Sequence, residues 1–490
     1  YFCSNDLTTG KVKCEKDDAN PTLEPIQATV EVGMGTDKSI EEYFTFAKTG
    51  RGASTLSCKE GSTQITNVSA LALGDHVVKC IATKTSNKKT SAEKQVTIKI
   101  KEVSVEPNAP VLYTNMKPIK YENNKWIIAD LGQKWYDYDA KEWANAVVLN
   151  SGVTKNVGDE VTEEDVALWY VWIPRYKYTI FNGNNRSAAA QLINVAFESG
   201  ISRTGTVTCT DNADGSETCS TITNGTSTYT HPAFTFGSTE LTGFWVGKFE
   251  VSGSTSAITV KPNVTSLRSQ TVLSLFTAIQ KVKTTYGINN ADSHMLKNIE
   301  WGAVAYLKQS KYGLGTTDIG INNNSNYITG CGATAGSAWS TTCNKYNTTT
   351  GMLASTTGNI YGVYDMSGGA VEYVMGNMKN SSNAFYSSSA GFPTAPDAKY
   401  YDSYKYDSSS HTTHARGKLG DATKETLTTF GKTRGGGWYS DDTGFPYSCG
   451  PWFIRGSYYD DGASAGVFTF DYDDGGGYDY GSARAVLSAQ

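Results

Sequence analysis

The sequence predicts an α+β chain in two parts, a small all-β domain followed by a much larger mixed domain. Three observations carry this. First, four short runs alternate apolar and polar residues: QATVEVG (27–33), STLSC (54–58), DHVVKCIATKT (75–85) and KQVTIKI (94–100). Turn residues separate them at the spacing of an all-β domain. Second, SVEPNAP (104–110) carries two prolines and reads as a linker. Third, aromatic strand-like runs beyond it surround one clear helical stretch, 293–313. There Met295, Ile299, Val304 and Leu307 fall at helical spacing.

Composition bounds the class. A chain of 490 residues spans two to four domains, and 39% hydrophobic residues suffice to bury a core. Mean hydropathy is −0.39, and no apolar run approaches the ~18 residues of a membrane span. Membrane attachment is therefore expected only through an anchor outside this chain. The chain opens on Tyr1 rather than Met, which leads to the expectation of a signal or anchor segment ahead of it. The net charge of −5 disfavours nucleic acid as a partner.

Nine cysteines are present, eight of them in close pairs: Cys3/Cys14, Cys58/Cys80, Cys209/Cys219 and Cys331/Cys343. Each pair brackets a turn-rich segment. The pattern predicts hairpin-closing disulfides in an oxidising compartment, hence a location outside the cell, on its surface or on a virion. Zinc is the rival, but no C-x-x-C or H-x-x-x-H occurs. Cys449 is left over.

In chain order, residues 1–20 read as a disulfide hairpin with a Thr-Gly turn. Residues 21–105 read as a β-sandwich and resemble bacterial immunoglobulin-like surface modules by pattern, which act as stalks or spacers. Residues 202–232 read as a disulfide-closed hairpin. Residues 316–358 and 379–432 read as long polar loops, functional or decorative at that length. Nothing in the tract 400–421 identifies a packing partner.

The most informative stretch is 434–490. Framework residues such as Trp438, Phe445, Trp452, Phe453, Arg455, Val467, Phe468, Phe470, Arg484 and Val486 are interleaved with a second set. That set comprises Asp442, Gly444, Tyr447, Cys449, Gly450, Ile454, Ser457, Tyr458, Tyr459, Asp460, Asp461, Asp471, Tyr472, Asp473, Asp474, Tyr478, Asp479 and Tyr480. Tyr, Asp, Ser and Gly dominate it. These are the residues of paratopes: Tyr gives broad amphipathic contact at low entropic cost, and Ser and Gly let loops adapt. Between Tyr439 and Arg484 there is no Lys, Glu, Gln or Met. An AAC codon randomised at its two adenines cannot encode any of these, and every interleaved residue falls within what it can encode. The segment 439–490 has eight Asp and two Arg, a charge of 2 − 8 = −6.

The motifs RGGGW (434–438), PWFIRG (451–456), GASAGVFTF (462–470) and SARAVL (482–487) resemble the variable region of proteins diversified by retroelements. Those proteins carry it on a C-type-lectin-like fold. From Val111 onward the chain resembles the formylglycine-generating-enzyme-like (sulfatase-modifying-factor) form of that fold. The matching pieces are KWYDYDAKEWANAVVL (134–149), ALWYVWIPRYKYTIFN (167–182), TGFWVGKFEVSG (242–253) with Lys248 and Glu250, and NIYGVYDMSGGAVEYVMGNM (359–378). Ala483 stands where that pattern expects an aromatic residue. The resemblance implies a variable segment at 439–484 on a ligand-binding display protein of bacterial or phage origin. The partner would be a protein or glycan. The alternative is a non-diversified surface adhesin or phage tail receptor-binding protein of the same fold.

An enzyme is the weaker reading. Formylglycine generation uses two cysteines near the C-terminus, and only Cys449 lies there. The related sulfoxide chemistry needs an iron site of several histidines. His76, His231, His294, His411 and His414 form no facial triad in sequence, and His411 and His414 read as solvated loop residues. No nucleophile elbow, P-loop or dinucleotide fingerprint occurs. Asp365 and Glu372 admit a reading as paired catalytic carboxylates. The preferred reading has Asp365 and Ser367 satisfying backbone groups in a tight turn. No cofactor is expected. A structural calcium ion remains open, with the Asp loops at 460–461 and 471–474 as sources of oxygen.

The energetic expectation is definite. Positions that accept Asp, Tyr or Gly in turn belong on the surface, on one side of the domain. Trp438, Trp452, Phe453, Val467, Phe468 and Val486 belong beneath them, since a lost core ring costs roughly 3–5 kcal/mol.

Overall fold

A computed structural model describes the chain except residues 1, 6–11, 16, 17, 34, 35, 37, 102–106, 183–185, 410, 413–416 and 432–435. His414, Arg434, part of the expected linker and the side chains of Cys3 and Cys14 lie outside the described residues. Strand is the main structure and helix is scarce. The chain divides into two compact units, Tyr1–Val105 with Leu131–Lys134, and Glu106–Asp130 with Trp135–Gln490.

In the first unit the ladder Phe2–Asn5/Val12–Glu15 sets the backbone of Cys3 opposite that of Cys14. The main sheet has five strands in the order Thr29–Gly33, Lys94–Lys101, Gly74–Lys84, Ser54–Glu60, Thr63–Gln64. Alternation decides which face is buried: Val78, Cys80 and Ala82 point inward from one strand, and Val96, Ile98 and Ile100 from its neighbour. Cys58 and Cys80 sit directly opposite each other on adjacent strands and are disulfide-bonded. The expected sandwich is only half realised. Its second layer is a two-residue ladder, Glu24–Pro25 with Phe44–Thr45, plus short helical turns. Leu23, Ile40, Tyr43, Phe44 and Val68 from these pieces complete the core.

The second unit is built on an antiparallel sheet of eight strands. Their order is Glu160–Val161, Lys125–Ile128, Met116–Glu122, Asn145–Leu149, Val166–Pro174, Gly243–Gly247, Ala485–Ser488, Asp292–Met295. Val166–Pro174 is buried at every residue, so both faces are covered and the sequence there is a continuous apolar run rather than an alternation. Trp172 meets Trp245 of the next strand edge-on at 5.2 Å.

The predicted helix forms over Asn298–Lys308. Ile299, Val304 and Leu307 are on it, but Met295 ends the strand Asp292–Met295 instead. The helix starts late because the Glu300 carboxylate accepts from the Lys297 amide at 2.8 Å and closes its first turn. A second helix, Val272–Gln280, was missed. Val272, Leu275, Phe276 and Ile279 recur at helical spacing and are buried, while Thr277 is exposed, and the Thr271 cap (Ser274 N to Oγ1, 3.2 Å) marks its start.

The tract 400–421 does find partners. Asp402–Tyr404 pairs in parallel with Gly376–Met378. Tyr404 is fully buried, accepting from Asn298 Nδ2 at 2.7 Å and donating to Asp421 at 3.0 Å. Two further disulfides, Cys209–Cys219 and Cys331–Cys343, close the hairpin Cys209–Asp211/Glu217–Cys219 and the loop before Val371. Among the described residues no helix is long and apolar enough to cross a membrane.

Candidate ligand-binding site

The second sheet of this unit carries the site. Val371–Met378 lies at its centre, flanked by Asp402–Tyr404 and by Trp452–Arg455, which pairs in turn with Phe470–Asp473. The short strand Gly481–Ser482 adds in parallel to Val371–Glu372. In the register Ile454 faces Asp471 and Arg455 faces Phe470. Alternation then sorts the side chains. Ile454, Asp471 and Asp473 line a surface cavity, while Phe453, Arg455 and Phe470 are buried in the core. Arg455 lies against the rings of Trp301 and Phe470, and Trp301 Nε1 donates to the Val467 carbonyl at 2.8 Å. The helix thereby pins the framework of the C-terminal stretch.

Three loops complete the cavity. Gly456 and Ser457 take positive φ (80° and 61°) and reverse the chain after the strand. Asp461 then folds back on this turn, accepting from the Ser457 hydroxyl and from the Tyr458 amide at 3.2 Å. The Tyr459 amide ties the loop to the Gly369 carbonyl at 3.1 Å. Asp442 is held by backbone bonds to Ser464 and Phe470. After Phe470–Asp473 the chain turns through Gly475 (φ 88°), whose amide donates to Asp473 at 3.0 Å. Asp473 also accepts from Tyr373 at 2.6 Å and Tyr480 at 3.0 Å.

The result is a cavity of about 350 Å³. Asp442, Ile454, Ser457, Tyr458, Asp461, Asp471, Tyr472, Asp473 and Tyr480 line it, together with Val371 and Thr469. Tyr459, Asp460, Asp474, Tyr478 and Asp479 belong to the same two loops. Tyr478 stacks on Tyr480 (5.3 Å, 7° between planes), and Tyr458 contacts both Tyr480 and Tyr459. Tyr447 packs edge-on against Tyr472 at 4.7 Å. Cys449 is exposed and is the one free cysteine among the described residues. The framework Trp438, Trp452, Phe453, Val467, Phe468 and Val486 are all buried.

Three expectations are corrected. The interleaved residues are mostly half-buried, with Cys449, Asp460, Tyr478 and Asp479 exposed, because they wall a concavity and pack on one another instead of standing on a flat face. Gly444 and Gly450 are buried and offer no contact surface. A Cβ at Gly444 would lie 2.2 Å from Asp471, and one at Gly450 would lie 2.5 Å from the Tyr472 ring. His411 is no solvated loop residue either: it is half-buried against Tyr447 (5.8 Å) and Tyr472 (4.7 Å).

Electrostatics follow from burial. Desolvation raises the carboxyls of Asp461 and Asp473. It raises the hydroxyl of Tyr480 as well, with Asp473 adding to the effect. Among the described residues, no Lys, Arg or His lines the cavity.

Beneath the site lies a buried ionic core. Arg484 donates to both oxygens of Glu372, to the Gly247 carbonyl at 2.8 Å and to the Tyr364 carbonyl at 2.9 Å. Asp365 accepts from the Gly330 amide and from Asn322 Nδ2, both at 2.8 Å, and Glu250 accepts from the Ala370 amide at 2.9 Å. Burial raises Glu372 to about 7 in spite of Arg484. Lys248, also buried, donates to Asn145 and to the Ile360 and Gly362 carbonyls. Every carboxylate of this group is thus committed to a structural partner. Ser367 Oγ has none among the described residues, so its expected role in the turn is not seen.

The calcium expectation finds no matching donor set. Among the described residues the one grouping with metal-ligand spacing is Cys209, Glu217 and Cys219, and its two sulfurs form a disulfide. Neither Asp loop gathers such a set.

Sequence reasoning missed Val371, Thr469, Tyr373 and His411. Each lies outside the interleaved set, and only the three-dimensional pairing brings it to the site. No protein-family model matches the chain, and no curated protein matches it significantly.

Proposed function

We propose that this chain is a hypervariable ligand-binding display protein. In this reading the second unit has a C-type-lectin-like fold of the formylglycine-generating-enzyme-like type. Its segment 439–484 is diversified by a retroelement, and the protein acts outside the cell or on a virion. The observation that carries the reading is a convergence. Nine of the eighteen interleaved residues, picked out by composition, wall a single cavity together with Val371 and Thr469, while the framework residues Trp438, Trp452, Phe453, Val467, Phe468 and Val486 are buried. Such an arrangement lets side chains change without disturbing the core. Three disulfides support an oxidising location. A lone exposed Cys449 supports binding over two-thiol redox catalysis.

The test is sequencing of this gene across many isolates. Substitutions should concentrate at the cavity and loop positions, stay within the randomised-adenine set and spare Trp438, Trp452, Phe453 and Arg484. Changes spread evenly over framework and cavity would defeat the reading.

A further inference from the structure

We infer that the partner of this face is a protein that inserts one basic side chain, Arg or Lys, between the Tyr458 and Tyr480 rings and the carboxylates of Asp461 and Asp473. The inference rests on reading the cavity as a ligand site, and it commits to what enters.

The argument is one of charge and shape. The carboxylates of Asp461 and Asp473 line a space of about 350 Å³, and no described cation lines it with them. That volume is at the low end of the roughly 300–1,000 Å³ of small-ligand sites, enough for one long side chain with a little water. Asp461 and Asp473 are pre-aimed. Their partners are hydroxyls and backbone amides, which fix orientation without neutralising charge. A neutral ligand would strip water from these groups and return no counter-charge. A guanidinium or ammonium returns it, and Arg adds paired hydrogen bonds to a carboxylate. The tyrosine faces add cation–π attraction.

A second observation is independent of the acids. The tyrosine row continues past the variable segment: Tyr459 meets Tyr327 edge-on at 4.9 Å. On Tyr327 the protein already seats a guanidinium of its own. Arg268 lies 3.8 Å over that ring and donates to the Asp479 carbonyl. The outer end of the row thus carries, internally, the contact proposed for its inner end. Tyr327 holds φ 55°, outside the usual range for a bulky residue, with its loop fixed by the Asn324 side chain.

The test uses the full chain labelled with 3-fluorotyrosine and two probes, agmatine and a neutral N-acetylglucosamine oligomer. Agmatine should shift the Tyr458 and Tyr480 resonances saturably, assigned through Tyr→Phe variants. Asp461→Asn with Asp473→Asn should weaken it about tenfold or more, as should raised salt. If Asp473→Asn lowers the melting temperature, Asp461→Asn alone decides. A response of those tyrosines to the neutral oligomer and not to agmatine overturns the basic partner but leaves the face as a binding site. Agmatine shifts that survive Asp461→Asn, or that appear only at tyrosines away from the cavity, overturn the inference. The isolate sequencing above tests the underlying reading separately.

Discussion

Arg484 and Glu372 form a two-pronged ion pair with no solvent access to either side chain. Arg484 precedes the strand Ala485–Ser488 of the eight-stranded sheet, whereas Glu372 belongs to the central strand of the sheet that bears the cavity. The pair, with its bonds to Gly247 and Tyr364, fastens one sheet to the other. Arg484→Met should therefore destabilise by about 3–5 kcal/mol, because it strands a buried carboxylate. Arg484→Met with Glu372→Leu should recover much of that loss. Equal melting temperatures for the single and double variants would show that the pair does not act as a unit.

Glu425 gives a pH prediction with a definite sign. It is buried, accepts from Gly420 N, Tyr306 and Tyr178, and burial raises it to about 7. The unfolded chain releases this proton near 4.5 and the folded chain near 7. Between those values the folded state holds more protons, so stability falls as pH rises, by up to roughly 3 kcal/mol from this group. His231 acts in the opposite sense. Burial pushes it down to about 3, so it removes stability as pH drops below about 6.5. Melting curves of Glu425→Gln should show a shallower decline than the parent between about pH 5 and pH 7. Parallel curves would refute the assignment.

Exposure separates the cysteines. A maleimide applied to the native, unreduced protein should label Cys449, and Cys58, Cys80, Cys209, Cys219, Cys331 and Cys343 should react only after reduction. Peptide mapping that linked Cys449 to any of the six would break the scheme.

Framework and cavity should respond differently to truncation. Trp452 is fully buried, stacked on Phe392 at 5.7 Å and edge-on to Phe385. Trp452→Ala should cost about 3–5 kcal/mol, and exposed Tyr478→Ala should stay within about 0.5 kcal/mol. Comparable losses in the two variants would contradict the division of labour drawn here.

The cavity was legible because its residues share a composition, which is visible without coordinates. Its concavity was not: Ile454 and Asp471 become neighbours only through strand pairing, and Tyr373 reaches Asp473 from a hundred residues away. The long strand Val166–Pro174 and the helix Asn298–Lys308 announced themselves by aromatic density and by period. Val272–Gln280 did not, because its nine residues are a short run for the period of Val272, Leu275, Phe276 and Ile279 to stand out. The packing of 400–421 escaped for a different reason. Tyr404 is buried by partners from Asn298 and Asp421, and a local reading assigns a Tyr among Ser and Asp to solvent.

The two buried glycines have a consequence for how many binding surfaces the protein can build. Any side chain at position 444 competes for space with position 471, and any at 450 with the ring at 472. Under the proposed diversification these letters are not drawn independently. A bulky draw at one site is viable only with a smaller or displaced draw at the other. The usable repertoire is then well below the product of the codon choices. Linked pairs, 444 with 471 and 450 with 472, should surface as correlated substitutions among natural variants.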